Sequence, residues 1–205
     1  VDAGGTTGHW DTVHGRNPPE TRSWFEATPE VSLRLIGSLG PPHSGLVDVG
    51  AGTSPLVDAL LAAGWRDITC LDMSAAALEI TRRRLGERAD GVAWVTGDVL
   101  DRLPGRTWRV WHDRAVFHFL TAEGDRARYA ALAARAVVPG GGLVMGCFAP
   151  DGPERCSGLP VARHAAGDLA ALFAPAFTPV HAERVVHRTP AGGAQPFTWV
   201  VLRRA

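Results

Sequence analysis

The sequence predicts an α/β protein: one doubly wound, mostly parallel sheet of seven strands that ends in an antiparallel hairpin. Three observations predict it. Short apolar runs alternate with helical stretches between residues 45 and 149, the pattern of a parallel sheet covered on both faces. The C-terminal stretch breaks this rhythm with two strands around a Pro/Gly turn. Finally, 205 residues suit a single domain with a core of its own.

The elements follow in order. GLVDVG (45–50) is a first strand, and SPLVDALLAAG (54–64) has helical spacing and a terminal Gly. DITCLDM (67–73) is a second strand, followed by a helix over 74–88 that Ser74 caps. VAWVTGD (92–98) and RVWHDRA (109–115) are strands three and four. The next helix opens at Thr121 with Glu123 nearby and stops at Pro139–Gly140. GGLVMGCFA (141–149) is strand five, GDLAALFA (167–174) a short helix, and residues 177–188 and 196–204 the strands of the hairpin. Residues 1–8 read as a disordered lead and 9–205 as one domain. Within it, 9–43 is an N-terminal segment with at least one helix, 45–148 the core, and 149–205 a loop, helix and hairpin.

Composition narrows the function. Hydrophobic residues make up 45% and charged residues 20%, ordinary for a globular protein. No apolar run approaches the ~18 residues of a membrane span, and VDAGGTTGHWD has neither the basic flank nor the apolar stretch of a signal peptide. A cytoplasmic location is the default, with no membrane partner. All 21 basic residues are arginine, balanced to zero net charge, and the pI is about 7.2. The densest cluster, Arg82–Arg84, sits beside Glu79 and Glu87. That is not the basic stripe of a nucleic-acid binder, so no nucleic-acid partner is expected. Cys70, Cys147 and Cys156 are too few and too widely spaced for a disulfide framework. A monomer or weak homodimer acting on a small molecule fits these limits.

Ligands of open parallel sheets bind at the carboxyl ends of the strands, near the switch in strand order. Four successive strand ends here carry an aspartate: Asp48, Asp72, Asp98 and Asp113. Turns and caps favour Asp, but four in succession point to a shared site. Gly50 and Gly52 allow a tight turn and close backbone approach. Asp72 follows Gly52 by 20 residues, the spacing at which a carboxylate grips a ribose diol. A dinucleotide fingerprint would need glycine at position 55, where this chain has Pro55. Asp48 beside the glycines repels a pyrophosphate and suits a cation, which disfavours a nicotinamide oxidoreductase.

At these residues the chain resembles the class I methyltransferases, whose Rossmann-like domains bind S-adenosyl-L-methionine. LVDVGAGTSPLVDAL resembles their first motif, LDMS the second and GDVL the third. The resemblance implies that Asp48, Gly50 and Gly52 hold the methionine end of the cofactor. It implies Asp72 and Met73 at the ribose and Asp98 and Val99 at the adenine, with Asp113 beside the methyl group. WHDRAVFHFLTAEGDRARY is similar to a segment of the thiopurine methyltransferases and related thiol and tellurite methyltransferases. That likeness implies a small thiol or other chalcogen acceptor. HWDTVH…SWF is similar to the aromatic lid of those enzymes, and to small lysine methyltransferases, so a protein amine acceptor stays open. GPERCSGLPV and HRTPAGGAQPF depart from the thiopurine pattern.

Individual residues carry two readings each. Trp10, Trp24 and Phe25 either staple the N-terminal segment to the domain or form a lid over the cofactor and acceptor. A π face near a desolvated sulfonium contributes about 0.5–2 kcal/mol. Asp113 and Arg114 form a structural pair or flank the reacting atoms, with Arg114 facing an anionic acceptor. His118, between Phe117 and Phe119, is a wall residue or a general base. Cys156 and His187 are candidate acceptor-pocket residues and His164 a loop residue; no metal site is expected from their spacing. A non-catalytic cofactor-binding module is a further alternative, against which the charged, aromatic exit of strand four argues.

Overall fold

A computed structural model describes residues 7–16 and 18–205. Of the expected disordered lead, residues 1–6 lie outside the described residues, whereas Thr7 and Gly8 form the first turn of helix α1 (Thr7–Arg16). A second N-terminal helix, α2 (Glu30–Gly37), leads into β1 (Leu46–Val49). There follow α3 (Leu56–Ala62), β2 (Ile68–Asp72), α4 (Ala75–Leu85), β3 (Val92–Thr96), the short α5 (Val99–Arg102) and β4 (Trp108–Arg114). The second half comprises α6 (Glu123–Ala136), β5 (Val137–Phe148), β6 (Arg155–Cys156), β7 (Leu159–Pro160), α7 (Ala166–Phe173), β8 (Phe177–Arg188) and β9 (Ala194–Arg204).

Seven strands form one sheet in the order β3-β2-β1-β4-β5-β9-β8, and β6 and β7 pair separately. Pairing is parallel from β3 to β5 and antiparallel for β5–β9 and β9–β8. This is the predicted doubly wound sheet with its terminal hairpin. The chain winds outward from β1 through β2 to β3, then returns to the other side of β1 with β4. The order therefore reverses between β1 and β4, where a crevice must open.

Every residue of β1 and β2 is buried, as expected of central parallel strands covered on both faces. Period-two alternation sorts their side chains into two cores. On one face Leu46, Ile68, Val110 and Val144 meet Leu35, Ile36, Leu60 and Leu78 of α2, α3 and α4. On the other, Val47, Trp111, Leu143 and Met145 meet Tyr129, Ala133, Leu169 and Phe173 of α6 and α7.

Two local expectations are corrected. The helix after strand four opens at Glu123 with Ala122 in the capping position, so the Thr121 hydroxyl does not cap it. That helix ends at Ala136, and Pro139 and Gly140 lie inside β5. The β-branched pair Val137–Val138 has already turned the chain extended, and the extra residues are absorbed where the β4–β5 register shifts between Trp108 and Val110. The β6–β7 hairpin and α5 are too short to leave a periodic signal. Ser74 does cap α4, its hydroxyl accepting from Ala77 N at 3.0 Å.

One buried chain of hydrogen bonds joins β4 to α6. Trp111 Nε1 donates to the Tyr129 hydroxyl at 2.9 Å, and that hydroxyl donates to Asp113 Oδ2. Removing it strands two buried polar groups at once. Tyr129→Phe is expected to lower stability by about 1–3 kcal/mol, read as the shift in a urea unfolding curve. An unchanged midpoint would show that this chain contributes nothing to the fold.

Candidate active site

The carboxyl ends of β1, β2, β3 and β4 surround a cavity of about 330 Å³, within the size range of small-molecule sites. Its floor is the turn after β1. Gly50 and Gly52 have φ of +70° and +50°, and a Cβ on Gly50 would lie 2.0 Å from Val116 Cγ2. Only glycine allows both this turn and the close approach of the β4 exit loop.

Asp72, ending β2, is held by two backbone donors: Gly52 N at 2.8 Å and Ser74 N at 2.7 Å. Burial nevertheless lifts its pKa to about 6, because these donors offset only part of the desolvation. Asp98 caps α5 by accepting from Leu100 N at 2.9 Å. Met73, Asp98, Val99 and Leu100 complete this end of the cavity, beside the Arg128–Asp101 ion pair.

The N-terminal segment forms the roof. Trp10 packs edge-on against Phe119 with centroids 5.1 Å apart, and both line the cavity with His14 and Trp24. Asp11 Oδ1 accepts from Ser74 Oγ at 2.6 Å and from Ala76 N at 3.3 Å, clipping α1 onto the start of α4. Buried Arg22 donates to Thr53 Oγ1, to the His14 carbonyl at 2.7 Å and to His14 Nδ1 at 3.0 Å. Burial, then the Arg22 cation, lowers the His14 pKa to about 4, so its ring is neutral with Nδ1 as acceptor.

At the opposite end stand Arg114 and Cys156. Arg114 donates to the Trp24 carbonyl at 2.9 Å, pairs with Glu26 at 3.1 Å and lies over Phe197 at 5.2 Å. Burial alone would raise the Glu26 pKa; the His187 hydrogen bond and the Arg114 and His187 charges outweigh it and hold the carboxyl below its usual value. Ala115 (φ 67°) and Ser157 (φ 50°) are the only non-glycine residues with positive φ among the described residues. Both line this cavity, where such strain is commonly concentrated.

Between the two ends runs a buried polar line the sequence reading missed. His112 Nδ1 lies 2.7 Å from Asp48 Oδ1, and His112 Nε2 lies 3.0 Å from Ser32 Oγ. All three residues line the cavity.

The structure thus gathers Trp10, Trp24, Asp48, Gly50, Gly52, Asp72, Met73, Asp98, Val99, Arg114 and Cys156 into one lining. Four candidates fall outside it. Asp113 points to the other face of the sheet and caps the loop after β4, accepting from Val116 N at 3.0 Å and Phe117 N at 3.1 Å. His118 is fully buried behind the wall against Phe119 and Phe148, with ring centroids 4.5 and 4.6 Å away. Burial, with the His164 and Arg114 charges, lowers its pKa to about 3, which leaves no proton affinity for base chemistry near neutrality. His187 Nε2 meets the Ser23 carbonyl at 2.8 Å and Nδ1 lies 3.4 Å from Glu26, so it braces the 23–26 segment. Phe25, in that segment, is half-buried and does not reach the lining. His164 packs on Phe117 at 5.4 Å, and among the described residues no His, Cys, Asp or Glu groups converge to hold a metal. Glu26 and His14, conversely, gave no sequence signal beyond their nearness to Trp24 and Trp10.

Residues 46–141 match the family model of a methyltransferase domain. Among curated proteins no relative matches the sequence. Solved structures share the fold. One, from a study of the conversion of a disulfide bond into a thioacetal group during echinomycin biosynthesis, is 21% identical, covering 97% of this chain and 93% of that one with a TM-score of 0.75. The 1,6-didemethyltoxoflavin-N1-methyltransferase of Burkholderia thailandensis, with its substrate and S-adenosylhomocysteine bound, is 24% identical over 86% and 78% of the two chains, with a TM-score of 0.68. An S-adenosylmethionine-dependent methyltransferase from Anabaena variabilis is 17% identical over 97% and 93%, with a TM-score of 0.76. Each likeness is one of fold.

The floor of the cavity is testable without a ligand. Gly50→Ala is expected to cost about 1–3 kcal/mol from the φ penalty and overpacking together. Adding Val116→Ala should recover the packing part only. A thermal melt in which the single variant matches wild type would show that the turn relaxes freely.

Proposed function

We propose that this chain is an S-adenosylmethionine-dependent methyltransferase, a reading its matched domain and fold support, and that it methylates a small-molecule acceptor held beside Arg114 and Ser32 in the cavity. The observation that carries this reading is a cavity at the β1–β4 switch whose lining brings Asp48, Asp72, Asp98 and an apolar wall together with Ser32, His112 and Arg114.

The donor set suits the cofactor. Asp72 and the backbone around it fit a ribose diol, and Leu71, Met73, Val99 and Leu100 supply apolar wall for an adenine beside Asp98. Asp48 offers a carboxylate to an ammonium over the Gly50–Gly52 turn, where position 50 has no room for a side chain. Trp10 and Trp24 place aromatic faces in the roof, suited to a sulfonium. When bound, S-adenosylmethionine supplies a methyl group on positively charged sulfur, open to in-line attack. The chain's own work is then to align the acceptor and exclude water, which the pinned α1 and the Arg22 contacts support.

The acceptor end favours a nucleophile that arrives with a proton, such as an amine or heterocyclic N–H. Arg114 is already paired with Glu26, and His118 is neutral and behind the wall. Neither supplies the free cation that would hold a thiolate. A thiol or related chalcogen is the second reading, favoured by one observation: Arg114 Nε is buried without a hydrogen-bond partner beside the cavity. One neighbour of the same fold is named an N1-methyltransferase and holds 1,6-didemethyltoxoflavin, which is consistent with the first reading.

Calorimetric titration with S-adenosylmethionine tests the cofactor assignment. Asp72→Ala is expected to weaken binding about 10- to 100-fold, the loss of a charged hydrogen-bond acceptor. Wild-type affinity in that variant would displace the site from the end of β2. The Asp72 pKa near 6 adds a sign. The carboxylate that accepts the ribose hydroxyls is fully present above that value, so affinity is expected to hold at pH 7–8 and fall as pH drops through about 6. Affinity that is flat down to pH 5 would remove Asp72 from the contact. For the acceptor, S-adenosylhomocysteine release is measured against amines, N-heterocycles, thiols, phenols and carboxylates. Turnover with N–H acceptors supports the first reading and turnover confined to thiols the second. Cofactor binding without turnover on any small acceptor would overturn the small-molecule assignment.

A further inference from the structure

We infer that Ser32, His112 and Asp48 form a proton relay that receives the acceptor's proton during methyl transfer. The inference rests on the methyltransferase reading above; it adds Ser32 and His112, to which the motifs assign nothing, and gives Asp48 a second task.

Three observations carry it. First, the geometry is a continuous line: Ser32 Oγ to His112 Nε2 at 3.0 Å, and His112 Nδ1 to Asp48 Oδ1 at 2.7 Å. Asp48 orients the ring, since a carboxylate can only accept and Nδ1 therefore carries a proton; this leaves Nε2 as the nitrogen that meets the Ser32 hydroxyl and can accept from it when unprotonated. Second, the line spans three elements whose meeting is set by the fold. Asp48 and His112 are direct partners in the β1–β4 register, and Ser32 comes down from α2 onto the same face. Third, the other candidate groups nearest the line suit the task less well. His14 has its Nδ1 engaged by Arg22 and a pKa near 4. Asp72, Asp98 and Asp101 belong to the other end, and burial pushes the Cys156 thiol up.

The surroundings of His112 suit a group that gains charge late. Asp48 faces it from β1, Ser32 from α2 and the Trp199 ring from β9 at 6.4 Å. Cys70 of β2, beside Asp48, is held neutral by burial. Arg114 follows on the same strand and lines the same cavity, and Glu26 and Asp113 lie near enough to sense a charge that the imidazole acquires. The step balances. The acceptor's bond to the methyl carbon forms as the sulfur–methyl bond breaks. The acceptor's proton passes to Ser32 Oγ, and Ser32's own proton passes to His112 Nε2. One positive charge disappears from sulfur and one appears on the imidazole beside Asp48, so the buried site keeps its net charge. Ser32 is the residue that meets the acceptor; His112 and Asp48 act through it.

This exchange can be read without knowing the acceptor. S-adenosylmethionine and S-adenosylhomocysteine differ by the charge on sulfur, so the uncharged ligand should let His112 take a proton that the charged one keeps off. Each ligand is titrated calorimetrically into the full chain in two buffers of different ionisation enthalpy, between about pH 6 and 8. The expected result is greater proton uptake with S-adenosylhomocysteine than with S-adenosylmethionine, and no such difference in His112→Gln. Equal proton counts for two tightly bound ligands would overturn the relay, and so would a difference that persists in His112→Gln. Binding of neither ligand would instead sink the cofactor reading. Ser32→Ala, a small change that tests the line even if His112→Gln fails to fold, is expected to bind S-adenosylmethionine like wild type. With whichever acceptor the panel identifies, it should turn over about 100-fold more slowly, with a deficit that shrinks as pH rises and the acceptor loses its proton unaided. A wild-type rate, or a deficit independent of pH, would overturn the role of Ser32.

Discussion

The parallel register of β1 against β4 is the constraint on which the rest of the molecule depends. It sets Asp48 opposite His112 and Val49 opposite Asp113. Because side chains alternate across a strand, that register sends Asp48 and His112 to one face and Asp113 to the other. A slip by one residue would exchange them, placing Asp113 toward α2 and His112 toward Tyr129 and Phe173. The same pairing also creates the switch in strand order, and with it the crevice. Cavity and polar line are therefore two consequences of one set of backbone hydrogen bonds.

Two buried aspartates show how the fold divides its charges. Asp72 and Asp113 each end a central strand, and burial lifts both to a pKa of about 6. Their partners differ in kind. Asp113 is consumed by the protein: two backbone donors and the Tyr129 hydroxyl surround it, and it fixes the exit of β4. Asp72 is held by backbone at Gly52 and Ser74 but borders the cavity. It keeps lone pairs for a ligand whose hydroxyl donors would offset its desolvation. Identical residues at equivalent strand ends thus differ in surroundings: Asp113 is enclosed by the protein's own donors, whereas Asp72 borders the cavity, where the proposed function gives it a ligand.

That division explains what the sequence made legible. Strands, helices and the terminal hairpin were readable because alternation and helical spacing are local, as was the glycine turn with Asp72 beyond it. Asp113 was readable as important but not as structural, since only the tertiary position of Tyr129 decides between the two. His118 drew attention by lying between two aromatics, yet that company is what buries it and removes its proton affinity. His112, two residues from Arg114 in the same motif, passed unnoticed because its role comes from a strand neighbour 64 residues away and a helix residue 80 away. Helix α6 ended earlier than its Pro–Gly stop because two valines favour an extended chain. Long-range contacts, not local pattern, decided the placement of Asp113 and His112.

The acceptor end has a different origin in the chain from the floor of the cavity. Trp24, Glu26 and Ser32 precede the matched stretch, while Cys156, His187 and Phe197 follow it. Only Arg114 and His112 reach out from the core to meet them. The two halves are therefore free to change at different rates. Substitutions in the flanking segments can retune which molecule is accepted while the glycine turn and Asp72 stay as they are. In evolutionary terms the fold behaves as a fixed socket with an exchangeable faceplate, and the specificity of such a protein can drift without its cofactor chemistry being put at risk.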